Sequence, residues 1–429
     1  MLIEFNVTNY LSFKDKQSLN LTTAYNLDDL PQNVIEDELP GMSGIHFVKG
    51  AAIYGANASG KTNLLKAVHF MREYVTNSAT TMKPGQKTEV VPFLLDKGTS
   101  KQPSEFEVVF CHKGVRYQYG FSVDKQQIQS EWLHSFPEGK PRKLFTREYD
   151  PKKESYKYTY GAHFKTDRSL EAKTRSNALF LSVGVQFNHS QLMKPYEWFQ
   201  EHLRVLANHG LTGLSPNFTA KLLLNIPGLE NAYTNFLQQA DLGIDGIKIK
   251  RITADDDFPL PTDISAEMKQ DIITQLENEG IIDIKLVHKF SGEDKKIDFD
   301  LEVESAGTQR LFVLLGPLLE VLLNGHCLFM DEMEASMHPL LTKMLIRMMS
   351  NAELNNKGAQ LVFTTHDTTL LDSELLRRDQ IWFTEKGPEG GTHLYPLSDY
   401  RPRKDESLQK GYLAGRYGAI PFLSGEFTF

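Results

Sequence analysis

Cysteine is almost missing from this chain of 429 residues. The two that occur, Cys111 and Cys327, sit in apolar runs (FEVVFC and HCLFMD) without metal-ligand spacing. That excludes a disulfide framework and a cysteine zinc site, and it fits a reducing compartment. Long apolar runs are missing too. The longest candidate, Leu311 to Leu323, is interrupted by Gly316, Pro317 and Glu320, so a buried helix is expected there and not a membrane span. The opening MLIEFNVTNYLSF has neither the basic start nor the apolar core of a secretory signal. Together these features predict a cytoplasmic location and no membrane partner. No period of 20 to 50 residues repeats, which excludes a solenoid. Positive charge is not in excess: 47 Lys and Arg face 55 Asp and Glu, a net of −8, which argues against coating nucleic acid by bulk charge.

What remains is a chain with enough apolar residues (40%) to bury a sizeable core. Its charge is uneven. Residues 254–300 carry 13 acidic and 5 basic side chains, an excess suited to docking a basic protein. Residues 138–175 carry eleven Lys and Arg against six acids, with Tyr149, Tyr156, Tyr158 and Tyr160 between them. Such a segment is either a nucleic-acid grip with stacking rings or a solvated hairpin; the interrupting acids favour the hairpin.

The apolar pattern divides the chain into three parts. Residues 1–164 alternate as short strands (LIEFNV, QSLNLT, TEVVPFLL, FEVVFC, VRYQYGFSV) around one helix after Lys61. Over 165–282 apolar residues recur three or four apart (HSQLMKPYEWFQEHLRVL, NFTAKLLLN, LENAYTNFLQQA, AEMKQDIITQLENE), which reads as a compact helical insertion. Residues 283–429 continue with strands (IKLVHKF, IDFDLEV), then alternate helix 306–323, strand 326–331, helix 338–350 and strands 359–365 and 379–384. Strands alternating with helices predict an α/β fold with a mostly parallel core sheet.

Residues 55–62 read GANASGKT, after strand-like AAIY and before helical NLLKAVHFMREYV. This G-x-x-x-x-G-K-[ST] pattern in that context predicts a phosphate loop. Gly55 and Gly60 let the backbone of Ala56, Asn57, Ala58, Ser59 and Asn63 approach phosphate oxygens at a helix N-terminus. Lys61 would bind the β- and γ-phosphates of ATP, and Thr62 would place its hydroxyl on Mg²⁺. Residues 327–332, CLFMDE, read as a buried strand delivering two carboxylates at its end. Asp331 is expected to hold Mg²⁺ through water, and Glu332 to polarise the attacking water.

With these motifs the chain resembles the ABC-type P-loop ATPases of the SMC, Rad-fifty and OLD group. ESAGTQRL (304–311) looks like their signature, so Ser305, Gly307 and Gln309 are expected to contact γ-phosphate. EASMHP (334–339) is similar to their D-loop, and LVFTTHD (361–367) ends on His366, which matches their switch histidine. The resemblance implies that one subunit's phosphate loop faces another's signature, hence a homodimer or higher homo-oligomer with ATP sandwiched between subunits. The family's Q-loop glutamine has no clear counterpart: TEVVPFLLD (88–96) contains none, and Gln86 and Gln102 only flank it. Tyr10 or Phe13 would either stack on adenine or belong to the core.

The compact insertion, the opening LIEFNVTNYLSFKD and the tail LAGRYGAIPFL (413–423) resemble RloA-type ATPases, including the AriA-like anti-phage proteins. That resemblance implies abortive-infection defence beside a separate TOPRIM-type, RloB-like nuclease. No such nuclease is expected within the 63 residues after His366, and Asp298-Phe299-Asp300 reads as alternating acids on a solvated strand edge. The rival reading is an SMC-like repair or recombination ATPase that binds DNA directly through 138–175. A transporter's nucleotide subunit is disfavoured by the style of the insertion and the missing Q-loop.

Overall fold

The computed structural model describes residues 1–24, 29–36, 39–206, 215–240, 242–253, 281–290 and 295–421. The chain forms two compact units. The first is Met1–His209 with Val321–Ala335 and Thr342–Phe429; the second is Gly210–Glu320 with Ser336–Leu341.

In chain order, the first unit opens with β1 (Leu2–Thr8), β2 (Gln17–Asn20), β3 (Gly50–Gly55), α1 (Lys61–Asn77), β4 (Ser104–His112), β5 (Val115–Val123), β6 (Ile128–Phe136), β7 (Arg142–Asp150) and β8 (Ser155–Tyr160). It continues with α2 (Phe180–Gln186), α3 (Ser190–Glu197) and β9 (Leu203–Leu206). The second unit supplies α4 (Pro216–Asn225), α5 (Leu229–Gln239), β10 (Ile244–Ile252), β11 (Ile281–Lys289), β12 (Lys296–Asp300) and most of α6 (Ala306–Asn324). Then follow β13 (Cys327–Met330), α7 (Pro339–Ser350), β14 (Gln360–Thr364), β15 (Ile381–Lys386), β16 (Thr392–Pro396) and α8 (Leu408–Leu413).

The first unit holds two sheets. One is antiparallel, in the order β8-β7-β6-β5-β4-β1-β2; the other runs β9-β13-β14-β3-β15-β16 and is parallel except for β16. The central parallel strands β3, β13 and β14 are buried along their whole length, which is why they read as continuous apolar runs without alternation. α1 turns Leu64, Leu65, Val68, Met71 and Val75 inward, a helical spacing, and one apolar cluster joins these to Phe5, Phe106 and Val108 of the antiparallel sheet and Phe329 and Val362 of the parallel one. A buried glutamine also ties the sheets. The Gln360 side chain accepts the Leu2 N–H (2.7 Å) and donates to the Leu2 carbonyl (3.0 Å) and the Val48 carbonyl (3.2 Å).

In the second unit β10, β11 and β12 form an antiparallel sheet with β12 at its edge. Asp298 and Asp300 lie on that edge, paired with Lys248 (2.7 Å) and Lys285 (3.3 Å), a solvated ladder of charge. Inside α6, Pro317 has no N–H to give the Val313 carbonyl. The Thr219 hydroxyl turns to that region, 3.2 Å from the Phe312 carbonyl and 3.4 Å from that of Val313, and the Tyr233 hydroxyl donates to Phe312 at 2.7 Å. Gly316 permits the approach, since a Cβ there would lie 2.2 Å from the Thr219 hydroxyl. Long and apolar as α6 is, 67% of its apolar window is buried inside the protein, which makes it a core helix.

Several expectations need correcting. The segment 88–95 forms no strand: Pro92 lacks a donor, Phe93 N–H goes to the Asn9 side chain (3.1 Å), and the Val91 carbonyl accepts from Leu11 (2.9 Å). The stretch expected to be helical through Leu206 ends its helix earlier and becomes β9, because Leu203 and Val205 alternate as a strand. Residues 165–206 pack within the first unit, with Trp198 stacked on Phe110 (centroids 4.2 Å apart) and Phe180 edge-on to Phe145 (4.9 Å). The boundary drawn at 165 therefore differs from the division between units. Tyr10 and Phe13 are buried in the core and closed to an adenine ring. AEMKQDIITQLENE and most of the acidic segment (254–280 and 291–294) lie outside the described residues.

The described part of the tail, through Pro421, packs its aromatic rings against β3 and β15. Tyr412 packs edge-on to Tyr54 (5.7 Å) and stacks on Phe383 (5.5 Å), while Tyr417 stacks on Phe383 (5.9 Å). The Tyr417 hydroxyl donates to Glu406 (2.7 Å), and the Tyr412 hydroxyl to the Ala419 carbonyl (3.1 Å).

Gln360→Ala should lower the unfolding free energy by about 2 to 4 kcal/mol, because buried backbone groups lose their partners. Urea denaturation followed by circular dichroism measures this, and an unchanged midpoint would contradict the tie between sheets.

Candidate functional site

Parallel strands end on a common side, and here the ends carry the motifs. In register, Ile53 pairs with Thr364 and Met330 with Phe363, so the phosphate loop after Gly55, the acids after Met330 and His366 all leave the same edge of the sheet. The order matters: β14, which leads to His366, lies between β3 and β13. The histidine strand thus separates the loop strand from the acid strand and touches both.

The loop geometry explains its residue types. A Cβ on Gly55 would fall 2.5 Å from the Ser59 hydroxyl and the Thr384 carbonyl, and one on Gly60 (φ +115°) would fall 2.3 Å from the Thr392 hydroxyl. Only glycine fits either place. Ala56 is half-buried, Asn57 and Ala58 are exposed, and Ala58 is left-handed (φ +61°). Ser59 is buried, its hydroxyl 2.6 Å from that of Thr384, and its carbonyl accepts from Thr392 (2.7 Å). The Asn63 side chain donates to Ser12 (2.8 Å). α1 has no side-chain cap, so its first N–H groups are left for an anion.

Lys61 is buried and donates to the Gly55 carbonyl (2.9 Å) and the Ala56 carbonyl (3.1 Å), arching over the loop. Burial pulls its ammonium down to about 8, against the opposing pull of Asp331, Glu332 and Glu334. Thr62 donates to Asp331 at 3.3 Å, so the two oxygens expected to hold Mg²⁺ are neighbours. Among the described residues no cluster of three His, Cys, Asp or Glu could enclose a metal ion; a hydroxyl and one carboxylate suit a cation that keeps most of its water, as Mg²⁺ does.

Thr364, which sequence reasoning passed over, organises the acids. Its hydroxyl donates to Asp331 (2.6 Å) and accepts the Glu332 backbone N–H (2.8 Å). Glu332 is exposed and left-handed (φ +46°), a strain of about 1 kcal/mol for a residue with a side chain. Glu334 was missed as well: its carboxylate accepts the His366 backbone N–H at 2.6 Å. Partial burial, then the Lys61 charge, hold the His366 imidazole below its ordinary pKa, opposed by Glu334, Glu332 and Asp331. A polar residue at the end of an apolar strand is the signal that could have found Thr364.

The structure therefore brings together Lys61, Thr62, Asp331, Glu332 and His366 in the first unit. Ser305, Gly307 and Gln309 belong to the second. There Ser305 caps α6 by accepting the Thr308 N–H (3.1 Å), and the Gln309 side chain donates to the carbonyls of Glu302 (3.2 Å) and Glu304 (2.9 Å). Gly307 lies against the Ser336 carbonyl, 3.0 Å from where a Cβ would be. Of the flanking glutamines, Gln86 is tied to the Lys83 N–H of its own turn (2.9 Å).

A family profile described as "AAA domain, putative AbiEii toxin, Type IV TA system" matches residues 51–372, three quarters of the chain. The chain belongs to this AAA-domain family. Its phosphate loop and mixed α/β architecture are those expected of a P-loop nucleotide-binding protein of that family. This AAA-domain chain is similar to two solved structures at low identity. The crystal structure of the SmcHead bound to the C-winged helix domain of ScpA is 12% identical, with 94% of this chain and 99% of that one covered and a TM-score of 0.43. The SMC head domain from Thermotoga maritima is 11% identical, with 92% and 98% covered and a TM-score of 0.40. No curated protein matches the chain.

The four tyrosines of the basic segment sit on the β7–β8 hairpin, and their rings pack against neighbouring groups. The Tyr156 hydroxyl donates to Ile128 (2.8 Å), Tyr158 packs on Phe180 (5.3 Å), and the Tyr160 hydroxyl donates to Glu171 (2.9 Å). Arg147 is fully buried, 3.9 Å over the Tyr156 ring. These groups are committed to packing, as a hairpin requires and a stacking platform does not.

The Lys61 pKa sets a stability prediction. Its ammonium releases its proton near 8 in the fold and near 10.5 when unfolded. Between those values the unfolded chain binds more protons, so stability rises with pH there. The melting temperature of the nucleotide-free protein, relative to Lys61→Met, should climb from pH 8 to about 10.5 and be flat at pH 6–7. A pH-independent difference would contradict the buried ammonium.

Proposed function

We propose that this chain hydrolyses ATP to ADP and phosphate, with Lys61, Glu332 and His366 as catalytic groups and Thr62 and Asp331 as the holders of Mg²⁺. It acts in the cytoplasm as a homodimer or larger homo-oligomer, the signature residues Ser305, Gly307 and Gln309 completing each ATP site from a neighbouring copy. Its biological task is prokaryotic anti-phage defence of the abortive-infection kind, as sensor and scaffold for a separate TOPRIM-type, RloB-like nuclease.

The observation that carries the reading is the convergence of Lys61, the Thr62–Asp331–Thr364 chain and the His366 segment at one edge of the sheet. Water attacks the γ-phosphorus and gives its proton to Glu332, while the bond from γ-phosphorus to the β-bridging oxygen breaks and ADP leaves with the electron pair. Lys61 and the α1 amides hold the phosphate oxygens, and Mg²⁺, when bound, neutralises developing charge. The defence role is supported by the RloA-like opening and tail; the packed rings of the β7–β8 hairpin count against direct stacking on DNA.

Phosphate release by the purified protein tests the site: Lys61→Ala and Glu332→Gln should each reduce kcat by about 100-fold or more. Turnover unaffected by both substitutions would remove the assignment. For the defence role, protection of a host from phage should require both this chain and the neighbouring nuclease, and should vanish with Lys61→Ala.

A further inference from the structure

Two residues beyond Glu332, the chain has turned back on itself. The left-handed Glu332 makes the turn, the Thr364 carbonyl then accepts the Met333 N–H (3.3 Å), and the Glu332 carbonyl accepts from Ala335 (3.1 Å). The turn brings Glu334 to the segment leaving β14, where Oε1 accepts the His366 backbone N–H at 2.6 Å. Its second oxygen, Oε2, is enclosed and has no hydrogen-bond partner. An enclosed carboxylate oxygen without a donor costs free energy, so a side chain serving only to close this turn would be better made without it.

We infer that Glu334 is a positioning residue for ATP hydrolysis: its carboxylate fixes His366 relative to Asp331 and Glu332, and its free oxygen takes up a donor when the nucleotide site fills. The inference rests on the hydrolytic reading above. Two further contacts support the geometry. The Tyr54 hydroxyl, one residue before the phosphate loop, donates to the Asp367 carbonyl (3.2 Å), and the Asp367 carboxylate accepts the Thr369 N–H (2.9 Å). The segment after β14 is thus held from the loop strand on one side and by Glu334 from the acid strand on the other. Of the two anchors, only Glu334 lies in the turn after β13 that bears the water-polarising candidate. A charge-assisted bond this short outweighs a neutral one, so Glu334 is the stronger hold on the His366 backbone.

Glu334→Ala and Glu334→Gln in the full chain test this. Gln keeps an acceptor oxygen for the His366 N–H; Ala does not. Glu334→Ala should lower kcat by about 100-fold, as a small misplacement of a catalytic group does, while affinity for a fluorescent ATP analogue with Mg²⁺ stays within about twofold. Glu334→Gln should recover kcat to within about tenfold of wild type. In the nucleotide-free protein, amide hydrogen exchange across 365–371 should quicken by about tenfold in the Ala variant and stay near wild type in the Gln variant. Wild-type kcat and exchange in the Ala variant would overturn the inference, as would a Gln variant as impaired as Ala in both. If the wild-type chain turns over no ATP, the hydrolytic reading falls, and exchange with and without ATP still decides whether Glu334 holds the His366 segment.

Discussion

Everything at the candidate site hangs on one hydroxyl. Thr364 gives its proton to Asp331 and receives the Glu332 N–H, so a single buried side chain holds the metal-binding and the water-polarising candidates in one frame. Both bonds cross between neighbouring parallel strands, which is possible because β14 was inserted between the strands of the loop and of the acids. Valine, nearly the same shape, would leave the Glu332 amide without a partner and the Asp331 carboxylate with only the longer bond from Thr62, a desolvation cost of about 1 to 3 kcal/mol. The strained backbone at Glu332 persists because such bonds over-determine it.

The second dependence is longer in range. Gln360 opens the same strand that Thr364 closes, and it grips both backbone groups of Leu2. The antiparallel sheet is thereby fastened to the strand that leads to His366. Apolar packing through α1 supplies the bulk of the adhesion between the sheets, but it is non-directional. The glutamine fixes register, which apolar contact alone leaves loose.

The parallel core, α1, α6 and the loop were legible because continuous apolar strands, helical spacing and the glycine pattern each arise from local physics. What escaped lay in tertiary pairing. Thr364 reads as an ordinary polar end of a strand until β13 is placed beside it, and Glu334 reads as a loop acid until the turn at Glu332 is known. Leu203–Leu206 failed as helix because four residues pairing with β13 outrank a periodicity inherited from the helix before. The 88–95 segment failed as strand because its partner is a side chain, Asn9, which no alternation rule detects.

The aromatic packing of the tail alters how this end of the chain is to be understood. Tyr412 rests on Tyr54, the residue that leads into the phosphate loop, and the Gln409 side chain donates to Thr368 (3.1 Å), two residues past His366. A chain cut before Leu408 therefore loses the wall behind its nucleotide-binding strand. Loss of function in such a truncation would report on the support of the strand that leads into the loop and not on a detachable docking tail.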